Sequence, residues 1–162
     1  MPNLRDPVFD EDRGDRDGWR ARRARVGFQL GTQRLGVSVW ELPPGQAAYP
    51  YHFHLADEEV LVVVAGTPEL RTPGGRRTLP EGEIVSFPVG EEGAHQLVNR
   101  TDGHVRFLAV STAGTPDVVF YPDSGKVFAG DRKPGGEGAR LFFREADAVD
   151  YWADEPEDPP AP

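Results

Sequence analysis

The chain contains no cysteine. That excludes both a disulfide framework and a thiolate metal site, so any metal must be held by histidines and carboxylates. Long apolar runs are missing too. The longest, Val60 to Ala65, is far too short to cross a bilayer. The first residues, Met1-Pro2-Asn3-Leu4-Arg5-Asp6, lack the apolar segment of a secretory leader, so a cytoplasmic location with no membrane partner is expected. Basic residues are in the minority, 18 against 27 acidic ones, for a net charge of -9. A generic nucleic-acid binder needs a basic face to displace counterions, and this balance argues against one. A small anionic ligand is not excluded, because a local basic pocket can exist on an acidic protein.

At 162 residues the chain is long enough for one hydrophobic core. Its 19 glycines and 16 prolines separate short apolar stretches, which suits many strands joined by turns. Residues 1–25 form a charged N-terminal arm with Arg20, Arg22, Arg23 and Arg25 near Trp19. The cluster could serve a phosphate or a partner, but it reads more simply as a solvated arm pinned by Trp19. Residues 26–121 read as a β barrel or sandwich, with strands at Arg25-Leu30, Gly36-Leu42, Glu59-Ala65, Glu83-Phe87, His95-Asn99 and Val105-Ser111. No sustained helical period interrupts them. Residues 122–162 form a C-terminal extension. It holds a Gly- and charge-rich loop from Asp131 to Gly138, a strand at Arg140-Arg144 and a short helical turn between Glu145 and Trp152. The acidic, proline-rich end from Asp154 to Pro162 is expected to be disordered.

Three of the four histidines fall in two tight contexts. In Tyr51-His52-Phe53-His54 the imidazoles stand two residues apart, and on a strand such residues share a face. After a short turn the next strand opens with Glu59, whose carboxylate can lie beside both rings if the strands pair. Glu59 shares a face with Leu61 and Val63, which leaves Glu58 on the solvent side. His95 begins a third apolar strand, and the last histidine, His104, sits at a turn and reads as surface. Three imidazoles and a carboxylate suit one borderline divalent ion such as Fe, Mn, Zn or Ni, and are wrong for Mg or Ca. On an octahedral ion four protein ligands leave two positions for water or substrate.

These residues carry a resemblance. Gly45, His52, His54, Glu59 and Gly66 are similar to the first motif of the cupin superfamily, with one extra residue between Gly45 and His52. Gly82, Pro88-Val89-Gly90, His95 and Asn99 are similar to the second, with a longer loop before His95. The likeness covers roughly residues 34 to 112. It implies an all-β double-stranded β-helix, or jelly-roll barrel, with short N- and C-terminal extensions and a metal held by His52, His54, Glu59 and His95. More narrowly, the chain resembles small bacterial cupins of the mannose-6-phosphate isomerase-like group. The segments that carry this are Glu41-Leu42-Pro43-Pro44-Gly45, Pro50 to His54, Leu70-Arg71-Thr72-Pro73 and Tyr121 to Val127.

Three functions follow as expectations. The first is a metal-dependent isomerase or lyase, the ion acting as Lewis acid on a small sugar-like or carboxylate substrate. The second is an Fe(II) dioxygenase, suited by the apolar neighbours Leu61, Val63 and Leu97. The third is a non-enzymatic binding or sensing barrel. No catalytic base can be named: strict alternation turns Tyr49, Tyr51 and Phe53 away from the histidine face. Pro122 to Gly125 reads as a plain turn leading to an edge strand, though Lys126 could reach an anionic substrate group and Asp123 could support it. Arg71, Arg76 and Arg77 read as solvated charges. A homodimer is expected, because Leu141, Phe142 and Phe143 need a surface to cover them.

Overall fold

β-Branched and aromatic runs punctuated by Pro and Gly give thirteen strands among the residues described. The structure is a computed structural model and describes residues 1–14, 16–113, 116–131 and 138–156. In chain order the strands are β1 (Glu11–Arg13), β2 (Ala21–Ala24), β3 (Leu35–Leu42), β4 (Phe53–His54), β5 (Glu59–Ala65), β6 (Glu69–Thr72) and β7 (Gly75–Thr78). They continue as β8 (Ile84–Phe87), β9 (Gln96–Val98), β10 (Val105–Thr112), β11 (Pro116–Tyr121), β12 (Lys126–Asp131) and β13 (Arg140–Arg144). A six-stranded sheet runs β1-β2-β3-β10-β5-β8, a four-stranded one β13-β12-β11-β4, and a three-stranded one β7-β6-β9. All pairings are antiparallel. No helix among the described residues is long and apolar enough to cross a membrane.

The core follows from two-residue alternation. Trp40 and Leu42 on β3, Leu61 and Val63 on β5, and Val105 and Phe107 on β10 all point inward and are buried together. Phe107 stands opposite Trp40 on one side and Val63 on the other. Its ring stacks on Trp40 with centroids 6.2 Å apart. Asn99 staples the loop that follows β9. Its amide donates to the carbonyls of Leu42 and Gly103, and its oxygen accepts from the backbone and hydroxyl of Thr101. A fully buried amide with each polar atom bonded explains why an asparagine, and not an apolar residue, fits there.

Strands outside the barrel limits expected at 26 and 121 join the sheets as well: β2 pairs with β3, and β12 with β11. β2 pairs with β3, placing Arg22 opposite Glu41, Arg23 opposite Trp40 and Ala24 opposite Val39. The arm is therefore no solvated tail. Ala24 and Val26 bury the outer side of β3 against Val39, and Trp19 is only half-buried. The strand expected at Arg25-Leu30 is instead a one-turn helix, α1 (Val26–Leu30), closed by Gly31 in the left-handed conformation at φ 70°. At the other end β12 lies between β11 and β13, so the edge strand is β13 and not the one after the Pro122–Gly125 turn. Glu145–Asp147 form a 3-10 turn. Part of the expected Asp131–Gly138 loop (132–137) and the end of the tail (157–162) lie outside the described residues.

Candidate metal centre

Local backbone geometry brings the histidines together. His52, just before β4, makes an isolated antiparallel bridge with His95, just before β9. Each backbone N–H donates to the other's carbonyl, at 3.2 and 2.9 Å. Side chains at such a bridge share a face, and the two ring centroids lie 4.7 Å apart. His54 follows two residues after His52 on the same face, with ring centroids 4.9 Å apart. Gly90 N–H holds this strand by donating to the His54 carbonyl at 2.7 Å. The loop before His95 requires Gly93, because a Cβ there would lie 1.8 Å from the Pro88 carbonyl oxygen.

Glu59, the first residue of β5, supplies the carboxylate. Its Oε2 lies 3.4 Å from His54 Nε2 and 3.3 Å from His95 Nε2. Ligand atoms of His52, His54 and Glu59 all fall within 4.8 Å of one another. The four residues singled out from the sequence thus converge, while Glu58 is exposed.

The opposite ring nitrogens are as informative. His52 Nδ1 donates to the Pro50 carbonyl at 2.9 Å, His95 Nδ1 to the Gly93 carbonyl at 2.9 Å, and His54 Nδ1 to Asp117 Oδ2 at 2.5 Å. Each acceptor is an oxygen, so Nδ1 carries a proton, and in the neutral ring Nε2 is left with its lone pair. Such partners fix the tautomer and ring orientation of metal-binding histidines. The donor set therefore fits a borderline divalent ion, and this group of residues could hold one.

Several neighbours were not found from sequence. Asp117, on β11, is buried and also accepts from the Ala56 backbone N–H at 3.0 Å. With His54 and the buried Asp57 it makes a second close group on the far side of the same imidazole. Its signal was a lone acid in the apolar run Val118-Val119-Phe120. Phe87 stacks on His95 with centroids 3.7 Å apart. Tyr121 lies 5.9 Å from His52.

Tyr49 corrects the alternation argument. Its ring stands edge-on to His52 at 4.9 Å and to His95 at 5.4 Å, so it faces the site. The chain bends at Ala48, Tyr49 and Tyr51 and is not a strand there, so alternation cannot be carried back past His52. Tyr51 and Phe53 do point outward, packing with Ala94 and Phe120. Burial, then the charge of Glu59, push the Tyr49 phenol well above its ordinary pKa, so it keeps its proton at neutral pH.

Pro122 to Gly125 form the expected turn, and its Asp123 is paired. Asp123 accepts two bonds from Arg71, at 2.6 and 2.8 Å, and Arg71 lies over the Tyr51 ring at 3.9 Å. Arg71 is therefore paired, as are Arg76 with Glu69 and Arg77 with Glu83. Lys126 Nζ sits 4.8 Å above Tyr121, one ring removed from the histidines. His104 is 61% exposed, as a surface residue should be. A cavity of about 680 Å³ opens over the cluster, with Tyr49, Phe87 and Tyr121 in its wall.

Comparison with known proteins accords with this geometry. Residues 38–111 match the cupin domain family. No curated protein sequence matches the chain significantly. Among solved structures, the chain is similar to a cupin-superfamily sugar phosphate isomerase from Silicibacter pomeroyi, at 29% identity and TM-score 0.72 over 82% of this chain and 80% of that one. A candidate sugar phosphate isomerase from Acidithiobacillus ferrooxidans aligns at 24% identity and TM-score 0.71, over 82% of this chain and 81% of that one. A polyketide cyclase from Streptomyces resistomycificus aligns at 23% and 0.57, over 69% and 78%. The latter two speak for the fold alone. Residues 38–111 thus resemble a cupin domain, and with the strands on either side the chain has the double-stranded β-helix fold of its cupin neighbours.

Proposed function

We propose that this cupin is a mononuclear metalloenzyme of isomerase or lyase type, acting on a small sugar-like or carboxylate metabolite. His52, His54, Glu59 and His95 hold one divalent ion (Fe, Mn, Zn or Ni). The observation that carries the proposal is the commitment of all three Nδ1 atoms to oxygen acceptors, which turns three Nε2 lone pairs inward beside Glu59. When bound, the ion supplies Lewis acidity toward a carbonyl or hydroxyl oxygen. The residues do the rest. Tyr49, whose ring stands edge-on to His52 and His95, can donate its phenol proton to a substrate oxygen. Phe87, packed on His95, shields that ring from water. The name of the similar Silicibacter pomeroyi protein, a sugar phosphate isomerase, supports isomerase chemistry over the alternatives.

The test is metal analysis of natively purified protein, followed by turnover of sugar phosphates and hydroxy acids under argon with Mn or Zn. About one ion per chain and anaerobic turnover are expected. Iron as the bound metal, with oxygen consumption and no anaerobic turnover, would instead establish an Fe(II) dioxygenase. The apolar wall formed by Leu61 and Phe87 favours that second reading. Metal without turnover in either assay would leave a binding or sensing barrel.

A further inference from the structure

We propose that the mouth of the barrel carries an oxyanion subsite, built from Arg13 and Arg23 over the Trp40 ring. It seats the phosphate or carboxylate of a substrate whose other end reaches the histidine cluster. This deepens the proposed function, and rests on it for the identity of the reacting end.

The two guanidinium groups come from adjacent strands, Arg13 from β1 and Arg23 from β2. Their central carbons lie 4.8 and 5.0 Å from the Trp40 ring centroid. A guanidinium held against an aromatic ring keeps the planar fork that matches carboxylate and phosphate geometry. Arg23 is further fixed by donating from Nε to Ser38 Oγ at 2.9 Å. Trp40 is buried, so the platform is rigid.

The platform belongs to the same cavity as His52, His54, Glu59 and His95. One ring separates the two ends: Tyr49 lies 6.2 Å from Trp40 and 4.9 Å from His52. A small extended metabolite can therefore touch both. The cavity lining includes four arginines, Arg13, Arg23, Arg25 and Arg140, and four carboxylates, Glu11, Asp57, Glu59 and Asp131. Glu11 bridges the pair, 2.7 Å from Arg13 Nε and 3.5 Å from Arg23 Nη1. It occupies part of the donor surface that an incoming oxyanion would take, and so competes with it. The N-terminal arginines, which read from sequence as solvated, thus acquire a use once β1 and β2 fold onto the barrel.

The experiment titrates inorganic phosphate and, separately, malonate into the full chain, following tryptophan fluorescence and melting temperature. Each titration is run on metal-loaded protein and on protein stripped by chelator and then dialysed. Saturable binding is expected in both states. Arg13→Gln should weaken it about tenfold or more, the loss typical of a charge-assisted hydrogen bond. Glu11→Gln should tighten it by removing the competitor. Arg23→Gln should weaken it as well, but Arg13 sits at the rim, 41% exposed, and carries the test even if the Arg23 variant does not fold. Tighter phosphate binding assigns a phosphate ester, and tighter malonate binding a carboxylate. Either supports the subsite. Binding seen only in metal-loaded protein and indifferent to Arg13→Gln overturns the subsite and leaves the metal reading standing. Arginine-dependent binding in a chain that takes up no metal keeps the subsite and sinks the metalloenzyme.

Discussion

His54 Nδ1 lies 2.5 Å from Asp117 Oδ2, in a place where the two side chains are 4% and 0% exposed. The bond sets which face of His54 is protonated. In Asp117→Asn the amide can turn its NH₂ toward Nδ1, which then must accept. The proton moves to Nε2, the atom that faces Glu59. Metal affinity is expected to fall about 10- to 100-fold, the usual effect of losing such a partner. Asparagine keeps an oxygen for the Ala56 N–H, so the fold should survive. Competition with a chromophoric chelator measures the affinity. Unchanged affinity would mean that Asp117 serves only the loop at Ala56.

An ion that binds the native state and not the unfolded chain stabilises by mass action. At a free ion concentration a hundredfold above Kd this amounts to about 2.7 kcal/mol. For a chain of this size that is roughly 5 to 10 °C of melting temperature. EDTA should lower the Tm of metal-loaded protein by about that much, and should leave His52→Ala, which lacks one ligand, nearly unmoved. Calorimetry with and without chelator decides it. Equal melting curves for protein shown to contain metal would separate the ion from folding.

The half of the site that repeats at strand spacing was legible in the sequence. His52 and His54 share a face because the strand period is two, and Glu59 follows from its phase with Leu61 and Val63. What was hidden depends on pairing between distant segments. Asp117 is 63 residues from His54 and meets it only because β4 and β11 are neighbours in one sheet. Tyr49 escapes the alternation rule because the chain bends on both sides of Pro50. The N-terminal strands were missed for a different reason. Ala21 and Ala24 are buried, yet alanine gives almost no apolar signal, and the arginines between them suggested solvent. α1 spans five residues, too few for a period to register.

Those arginines lead to a prediction about acid stability. Glu41, almost wholly buried on β3, accepts from Arg22 through Oε1 and from Arg106 through Oε2, the latter at 2.6 Å. Burial pushes its carboxyl up, but the two guanidinium groups outweigh burial and hold the pKa below the ordinary glutamate range. A carboxylate with a lowered folded-state pKa contributes stability that is complete above the unfolded-state value. That contribution is lost as pH falls through the folded-state value. Glu41→Gln is therefore expected to cost about 1.5 to 3 kcal/mol at pH 7, as for hydrogen bonds to a charged group. The deficit should shrink once pH drops below about 4. Urea melts of both proteins at several pH values test this. A deficit independent of pH would assign the loss to packing instead.

The last prediction concerns β13, whose outer edge has no strand beside it among the described residues. Leu141, Phe142 and Phe143 are 61%, 55% and 46% exposed. Alternation sends Phe142 to the barrel side, where it meets Phe128 with centroids 5.1 Å apart. Leu141 and Phe143 are left on the opposite face. Two large apolar side chains beside an open strand edge invite a second copy of the chain. A homodimer covering this face is accordingly expected. Each fully buried Leu or Phe contributes about 1.5 to 3 kcal/mol. The double substitution Leu141→Lys, Phe143→Lys removes both from each protomer and adds repelling charges. The dimer Kd should rise by well over a hundredfold. Metal content should not change, because neither residue lines the cavity over the histidines. Sedimentation across a concentration series measures both proteins. A wild-type chain that stays monomeric at high concentration would show that this edge is left to solvent.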